Sequence, residues 1–595
     1  MLLLLMACIL MLSLTFLIGG LTLDMLERIF GKKIRADLMG IFLLGILFSA
    51  CYFNILSFWW PVNYLVLIPL AGIAAVWIFL NKEKTISLAE SIRGAIRDLT
   101  QPSHLLITLL VFLVTAAYCI LPPLHPDSLG YHHLTVLWYE KYKVVPGLAN
   151  LHGRFAFNPV SFIIEAAWSF TGLAGRSLYP LNMLLGGLFF CWLLKRLFRN
   201  MDSVSGLLYL FALAFSFRFF LVNLSSPASD MLVYICILYP ILLLVERIVS
   251  KEITLSTTIV PVLIILFSIT AKLTSFTAFL LLPFLYYWLP KKDKGLPLFG
   301  KIAGICLFLY IPWLMRNYIM SGYLLFPYGR PDIFHPDWKA SPNLLKYENY
   351  YIHNYPTHIP YHPFWHSSIP RVQTLLTWFS FYIQAHQTID AILIVLGFIS
   401  PLFWLLPYAR TKKVDLRVLT VWLVAFAGIW INLSISMVFR FFVPVTMISI
   451  LLPLLAWADS LRRWPQTGFF RPRLLVAALF LLIAINYLVG AVNRLPINDR
   501  RIAAWWLSPL REPDFVPGKD TASFSYTYLG GGRKLYIGSP QHHCVNADLP
   551  CMPVYYGKIE MRGERLDQGF RMTDDKILQL YPFILSDSLT PLDLW

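Results

Sequence analysis

Two aspartates stand where long apolar runs meet polar sequence, and each has company that suits chemistry. Asp127 lies in LHPDSLGYHH, directly behind the apolar run HLLITLLVFLVTAAYCILPP. Asp230 lies in SSPASDMLVYIC, where another apolar run begins. A carboxylate at a membrane boundary is commonly a helix end, and at a helix start it complements the dipole. Two such acids converging over one cavity would instead be able to exchange protons with a substrate.

Cations accompany them. Arg316, followed by Asn317, lies in PWLMRNYIMSGYLLFP; Arg440 lies in SMVFRFFVPV; Lys272 lies in ITAKLTSF. An isolated cation near a membrane surface snorkels towards lipid phosphates. Three of them beside two carboxylates suit an anionic headgroup, because arginine forks onto phosphate. Tyr131 and His132, just behind Asp127, are expected to line the same cavity. The histidines of IHNYPTHIPYHPFWH invite a metal reading, but Pro360 and Pro363 break the helix that would align them and no carboxylate flanks them. That stretch reads as an aqueous loop, and no metal ligand is assigned. No Walker loop, G-x-S-x-G or dinucleotide fingerprint is present, so ATP-driven transport and serine hydrolysis have no motif behind them.

The elements that must position these residues are apolar runs. Of 595 residues, 58% are hydrophobic and 14% charged, with a mean hydropathy of +0.64. Soluble domains carry roughly a quarter charged residues, so a polytopic membrane protein is expected and a soluble enzyme is excluded. The net charge of +17 does not mark a nucleic-acid binder, because the basic residues sit in short loops between apolar runs. Each run must be helical, since lipid offers no partner to unpaired backbone groups. Runs near 2–22, 37–57, 61–81, 104–122, 178–197, 204–223, 230–247, 257–290, 300–320, 389–408, 417–436, 440–458 and 474–492 predict an all-α bundle of about fourteen spans. The run Ile259–Leu289 is too long for one span and counts as a hairpin with its tip near Lys272, because Arg247 and Lys251 precede it and Lys291 and Lys292 follow it.

The positive-inside rule then alternates along the chain. Lys82, Lys84, Arg93 and Arg97, then Lys195, Arg196 and Arg199, then Arg410, Lys412 and Lys413 fall on the cytoplasmic side. Three large segments, 123–177, 321–388 and 493–595, fall on the outer face. The expected organisation is extra N-terminal helices and a cytoplasmic loop over 1–103, a core over 104–320 holding the first outer loop, a second outer loop over 321–388, C-terminal helices over 389–492, and a polar tail or small domain over 493–595. YHHLTVLWYEKY, with Leu134, Leu137 and Trp138 at helical spacing, suits a short interfacial helix that would hold Asp127 at headgroup depth. The N-terminal apolar stretch lacks a basic n-region and is read as a retained span. Six cysteines lie in apolar runs as small hydrophobes, while Cys544 and Cys551 in the tail have the spacing of a small disulfide loop. Large outer segments and no internal repeat favour a membrane enzyme over a pure transporter.

An Asp in the first large outer loop just behind a transmembrane helix, followed by an interfacial helix, resembles the GT-C glycosyltransferases, among them the protein O-mannosyltransferases and the aminoarabinose transferases of lipid A. Asp127 in HPDSLGYH matches the position of that superfamily's catalytic acid, and Asp230 resembles the acid opening its second outer loop. PWLMRNYIMSGYLLFP and VFRFFVPV resemble its Arg-Asn-Gly-Pro and Arg-aromatic-Pro segments. DSLGYHH with VVPGLANLHGRFAFNPVSF is similar to a group of bacterial membrane proteins related to the superfamily. The resemblance spans roughly 104–458; Ser128 stands where many members carry a second acid.

The resemblance implies a GT-C-like bundle in the bacterial inner membrane, with its site facing the periplasm. It implies inverting transfer of a sugar from a polyprenyl-phosphate donor to a glycan, lipid or protein acceptor. Asp127 would take the acceptor's proton, and Lys272, Arg316 or Arg440 would stabilise the departing phosphate. Asp230 would orient the acceptor or assist a divalent metal; no other cofactor is implied. The residues alone leave open two further readings, a flippase or transporter of lipid-linked glycans and an O-antigen polymerase or ligase. Acids buried mid-span would mark the first of these and an arginine-dominated outer loop the second.

Overall fold

A computed structural model describes residues 2–119, 125, 127–175, 177–200, 204–354, 376, 378–380, 383, 388–436, 438–460, 481–490, 525–529, 533–537, 549–553 and 556–575. The apolar runs are helices, as the absence of backbone partners in lipid requires. In chain order they are α1 (Leu2–Phe30), α2 (Leu38–Leu56), α3 (Leu67–Leu80), α4 (Lys82–Leu99) and α5 (Pro102–Cys119). The first loop contains α6 (His133–Lys141), α7 (Val160–Trp168) and α8 (Thr171–Ala174). Then come α9 (Pro180–Arg199), α10 (Val204–Phe220), α11 (Asp230–Val249), α12 (Leu255–Ala271), α13 (Leu282–Trp288) and α14 (Leu296–Ser321). The second loop contains α15 (Pro342–Asn354), followed by α16 (Thr388–Phe403), α17 (Leu405–Thr411), α18 (Leu416–Ile435), α19 (Val443–Ser460) and α20 (Leu481–Gly490).

This is a multi-pass, mainly helical membrane protein. Among the described residues, 8 helices are long and apolar enough to cross a membrane, or up to 9 if a bent pair counts as one span. That pair is Tyr64–Leu80 with Lys82–Leu99, which meet at 104°. The run expected to be a simple third span therefore turns into the amphipathic helix α4. Other expected spans, including those at Tyr209–Phe220, Val443–Trp457 and Leu481–Gly490, are apolar helices of 10–17 residues. A crossing needs about 20 helical residues, which is why length and composition alone do not count them. The long run over 257–290 is broken at Lys272, whose extended backbone ends α12.

Ion pairs also gather at the far ends of the helices that carry the two aspartates. Lys195 pairs with Asp98, Arg196 with Glu246, Arg35 with Glu252, Lys32 with Asp293, and Lys84 with Asp24, all in the loops and helix ends opposite Asp127 and Asp230. Helix α11 is the hub, with 83% of its apolar window buried, and it packs on α9, α12, α18 and α19. Its first residue is Asp230.

The C-terminal segment is β structure that polarity alone did not disclose. Strands β1 (Ser525–Leu529), β2 (Arg533–Ile537) and β3 (Cys551–Met552) form one sheet, with β1–β2 antiparallel and β2–β3 parallel. Strands β4 (Lys558–Met561) and β5 (Phe570–Asp574) form an antiparallel pair. This segment sits on the first loop: Phe570 N donates to Pro146 O at 3.0 Å, and Asn150 Nδ2 donates to Phe570 O at 3.1 Å. Gly147 has φ +66 and lies so close that a Cβ would come within 2.1 Å of Phe570 O. Helix α6, expected at an interface, turns its Leu134 and Trp138 into protein, with Trp138 edge-on to Phe570 at 5.8 Å.

Helices α1 and α2 touch backbone to backbone. A Cβ on Gly19 would lie 2.0 Å from Ile41 O, and one on Gly45 would lie 2.0 Å from Thr15 O. Small residues at such crossings are how apolar helices associate without a hydrophobic driving force. Gly45→Ala should lower the unfolding temperature in detergent, at a cost of about 1–3 kcal/mol from overpacking. Gly94→Ala, with open space around it, should not lower it.

Candidate active site

Asp127 precedes a π-turn, Ser128–His132, that runs into α6. Such wide turns recur at functional positions because they re-aim side chains relative to an ordinary helix. Here they bring His132 to the face of Asp127, five residues earlier. Asp127 N donates to His125 Nδ1 at 3.2 Å, and His125 N donates to Ser226 Oγ at 3.3 Å, which ties this turn to the loop ahead of α11. That loop is held by Asn182 at the start of α9, whose Nδ2 reaches the carbonyls of Asn223, Ser226 and Ala228. Asp230 is thus presented by a braced turn.

Arg440, in the short 3₁₀ turn Phe439–Phe441 between α18 and α19, joins the two acids. Its Nη2 donates to Asp127 Oδ2 at 2.7 Å, and its Nε lies 3.7 Å from Asp230 Oδ2. Its Nη1 faces His125 Nε2 at 3.1 Å. Lys272 pairs with Asp230 from the end of α12 and sits over the Phe441 ring at 3.7 Å. Arg154 approaches Asp127 Oδ1 at 3.6 Å, stacks over Tyr131 at 5.3 Å, and places its Nε 3.8 Å from Glu348 on α15. The result is a chain of alternating charge, Lys272–Asp230–Arg440–Asp127–Arg154–Glu348. The Asp127 side chain is 19% exposed and that of Arg440 is 32%, so the centre of the chain is partly exposed rather than sealed in the core.

The electrostatics follow from those contacts. Burial alone would raise Asp127, but the Arg440 guanidinium, with His125 and Arg154, outweighs it and holds the carboxyl well below its usual range. Burial pushes His132 well below its ordinary value, so its ring is neutral at pH 7. Burial raises Glu348 to about 7 against the pull of Arg154 and Tyr556.

Of the residues singled out in the sequence, Asp127, Asp230, Lys272, Arg440, Tyr131 and His132 come together. Arg316 and Asn317 do not. Arg316 is buried in the loop core, donating to Asn158 Oδ1 at 3.2 Å and lying over Tyr139 at 4.4 Å, and Asn317 donates to Leu324 O at 3.0 Å. Neither has a hydrogen bond or ion pair to the cluster among the described residues. The third cation is Arg154 instead, from LHGRF, with His125, Glu348 and Tyr556 as further members. His125 stood in the same stretch as Asp127; nothing in one sequence tells that Arg154 reaches back to it. His358, His362 and His366 lie outside the described residues.

His125, Asp127 and His132 offer ligand atoms within 4.8 Å of one another, the spacing of a metal site. The set fits a divalent cation poorly. Both His125 nitrogens are engaged, and a metal would have to displace Arg440 from Asp127 while facing two further cations. Three cations around two strongly ionised carboxylates fit an anion better, since an incoming phosphate can take guanidinium groups in exchange for their resting partners.

If Arg440 links the two acids, Arg440→Gln and Asp127→Asn should not be additive. A double-mutant cycle on unfolding in detergent should give a coupling of about 1–3 kcal/mol, and a coupling near zero would mean that the pair contributes nothing.

No curated protein and no solved structure matches this chain. A family described as a domain of unknown function (DUF8201) matches residues 1–447, which include Asp127, Arg154, Asp230, Lys272, Glu348 and Arg440 but not the C-terminal strands. The chain belongs to that DUF8201 family.

Proposed function

We propose that this protein is an integral membrane glycosyltransferase with a GT-C-like bundle of about fourteen traversals, the shorter apolar helices included. It moves a sugar from a polyprenyl-phosphate donor to an envelope glycan, lipid or protein acceptor. The observation that carries this reading is that two aspartates from separate loops share one guanidinium at the mouth of the bundle, with Lys272 and Arg154 flanking them.

The chemistry balances on these groups. The acceptor hydroxyl attacks the anomeric carbon, the new O–C bond forms as the C–O bond to phosphate breaks, and one in-line displacement inverts the centre. Asp127 takes the hydroxyl proton. Arg440, Arg154 and Lys272 take up the charge that grows on the departing lipid phosphate. In the resting site the same arginines hold Asp127 too acidic to be an efficient base. When the donor phosphate draws them away, the basicity of Asp127 rises, which couples base activation to donor binding. Asp230 keeps Lys272 and Arg440 in place and orients the acceptor.

The side of the membrane is argued from two independent features. The basic loops lie at the end opposite the cluster, as the positive-inside rule assigns to the cytoplasm. Cys551, in the β segment that packs on the site loop, is disulfide-bonded, which suits an oxidising compartment. Both favour a bacterial inner-membrane protein whose site faces the periplasm.

Asp127→Asn should leave the protein folded and lower transfer from a polyprenyl-phosphate sugar by about 100-fold or more, measured as glycosidic product by mass spectrometry with purified protein in liposomes. Full turnover by that variant would remove Asp127 from the role of base.

A further inference from the structure

Glu348 is a buried acid that the mechanism above does not use and that faces the charged cluster. It lies on α15 in the second loop, 1% exposed, with its carboxylate against the backbone of Gly153; a Cβ there would meet Glu348 Oε1 at 2.3 Å. Tyr556 OH, from the C-terminal segment, donates to Glu348 Oε1 at 3.4 Å. Glu348 Oε2 has no hydrogen-bond partner among the described residues and faces Arg154 Nε across 3.8 Å. Among the described residues, the groups around Glu348 are Arg154 from the first loop, Tyr556 from the tail, and, packed on the Tyr556 ring, Tyr347 at 5.2 Å and His152 at 5.4 Å. Arg154 meets both Glu348 and Asp127.

We infer that Glu348, buttressed by Tyr556, is a positioning residue for Arg154 and sets how much of that cation is offered to the phosphate of the ligand. The inference rests on the glycosyltransferase reading only for the identity of the phosphate; the coupling between Glu348 and Arg154 stands without it. When Glu348 is ionised, Arg154 is divided between two carboxylates. When Glu348 is protonated, Arg154 is released towards Asp127 and the partly exposed centre. The site then holds three cations against two carboxylates, with a net positive charge. With Glu348 raised to about 7, this exchange falls in the neutral range. The sign follows: anion affinity is high below that range and falls as pH rises through it. The device also ties a β segment beyond residue 447, where the family match ends, to the centre of the site.

The test uses the full chain in detergent and a polyprenyl methyl phosphate, a diester whose single charge is constant across the window. Wild type should bind it about tenfold more tightly near pH 5.5 than near pH 8.5, a coupling of ordinary size. Glu348→Gln should keep the tight affinity at both. A pH step that persists in Glu348→Gln overturns the inference, as does an absent step in wild type that binds. No binding at any pH would instead overturn the donor reading. The pair is then decided by infrared titration of the unliganded protein. A protonated-carboxyl band lost in Glu348→Gln should titrate near neutrality and move to higher pH in Arg154→Gln and in Tyr556→Phe. A band that does not move in Arg154→Gln overturns the positioning role.

Discussion

Arg440 donates to Asp127 through Nη2 and faces Asp230 from Nε across 3.7 Å, beyond hydrogen-bond reach, and the electrostatics of this end of the molecule depend on that shared cation. Two carboxylates brought this close would repel each other and lose hydration, and one of them would take up a proton. A single guanidinium offsets both effects, because its delocalised charge lies within 4 Å of both acids while one of its N–H groups bonds Asp127. Lysine cannot substitute for that geometry. Lys272 holds Asp230 alone, from the end of α12. The resting site is therefore a set of ions whose partners can be exchanged for a ligand's.

Such a set needs rigid support, since a loosely held ion pair at a membrane boundary would relax into water. The bracing comes from amides. Asn182 gathers three carbonyls of the turn ahead of Asp230, and Asn150 ties the first loop to Trp338 O and Phe570 O. Gly147 permits the C-terminal strand to lie against that loop. The largely buried helix α11 fixes where Asp230 emerges. Five segments distant in sequence thereby meet at one end of the bundle.

Much of this was legible in the residues. The apolar runs are helices because lipid leaves them no alternative. Asp127 and Asp230 stood out because a charge at the edge of an apolar run is costly and conspicuous. Arg316 stood out for the same reason and lies elsewhere, over Tyr139 in the loop core. The signal that marks a costly charge does not say which partner relieves the cost. Arg154 and Glu348 were hidden because they lie in polar loops, where a charge carries no penalty that sequence can register. The strands over 525–574 were hidden because they are short, and their pairing partners are set by contacts outside each strand.

By itself, then, the sequence determined a multi-pass helical membrane protein with two acids and a group of cations at helix mouths, because hydrophobic period and charge placement are local properties of the chain. Only the tertiary structure decided which cations belong to which acids, that Arg154 stands where Arg316 was expected, and that the C-terminal segment leans on the site. Those outcomes rest on distances of a few ångströms between segments tens to hundreds of residues apart. Coulomb and hydrogen-bond energies depend on such distances, and no local pattern encodes them.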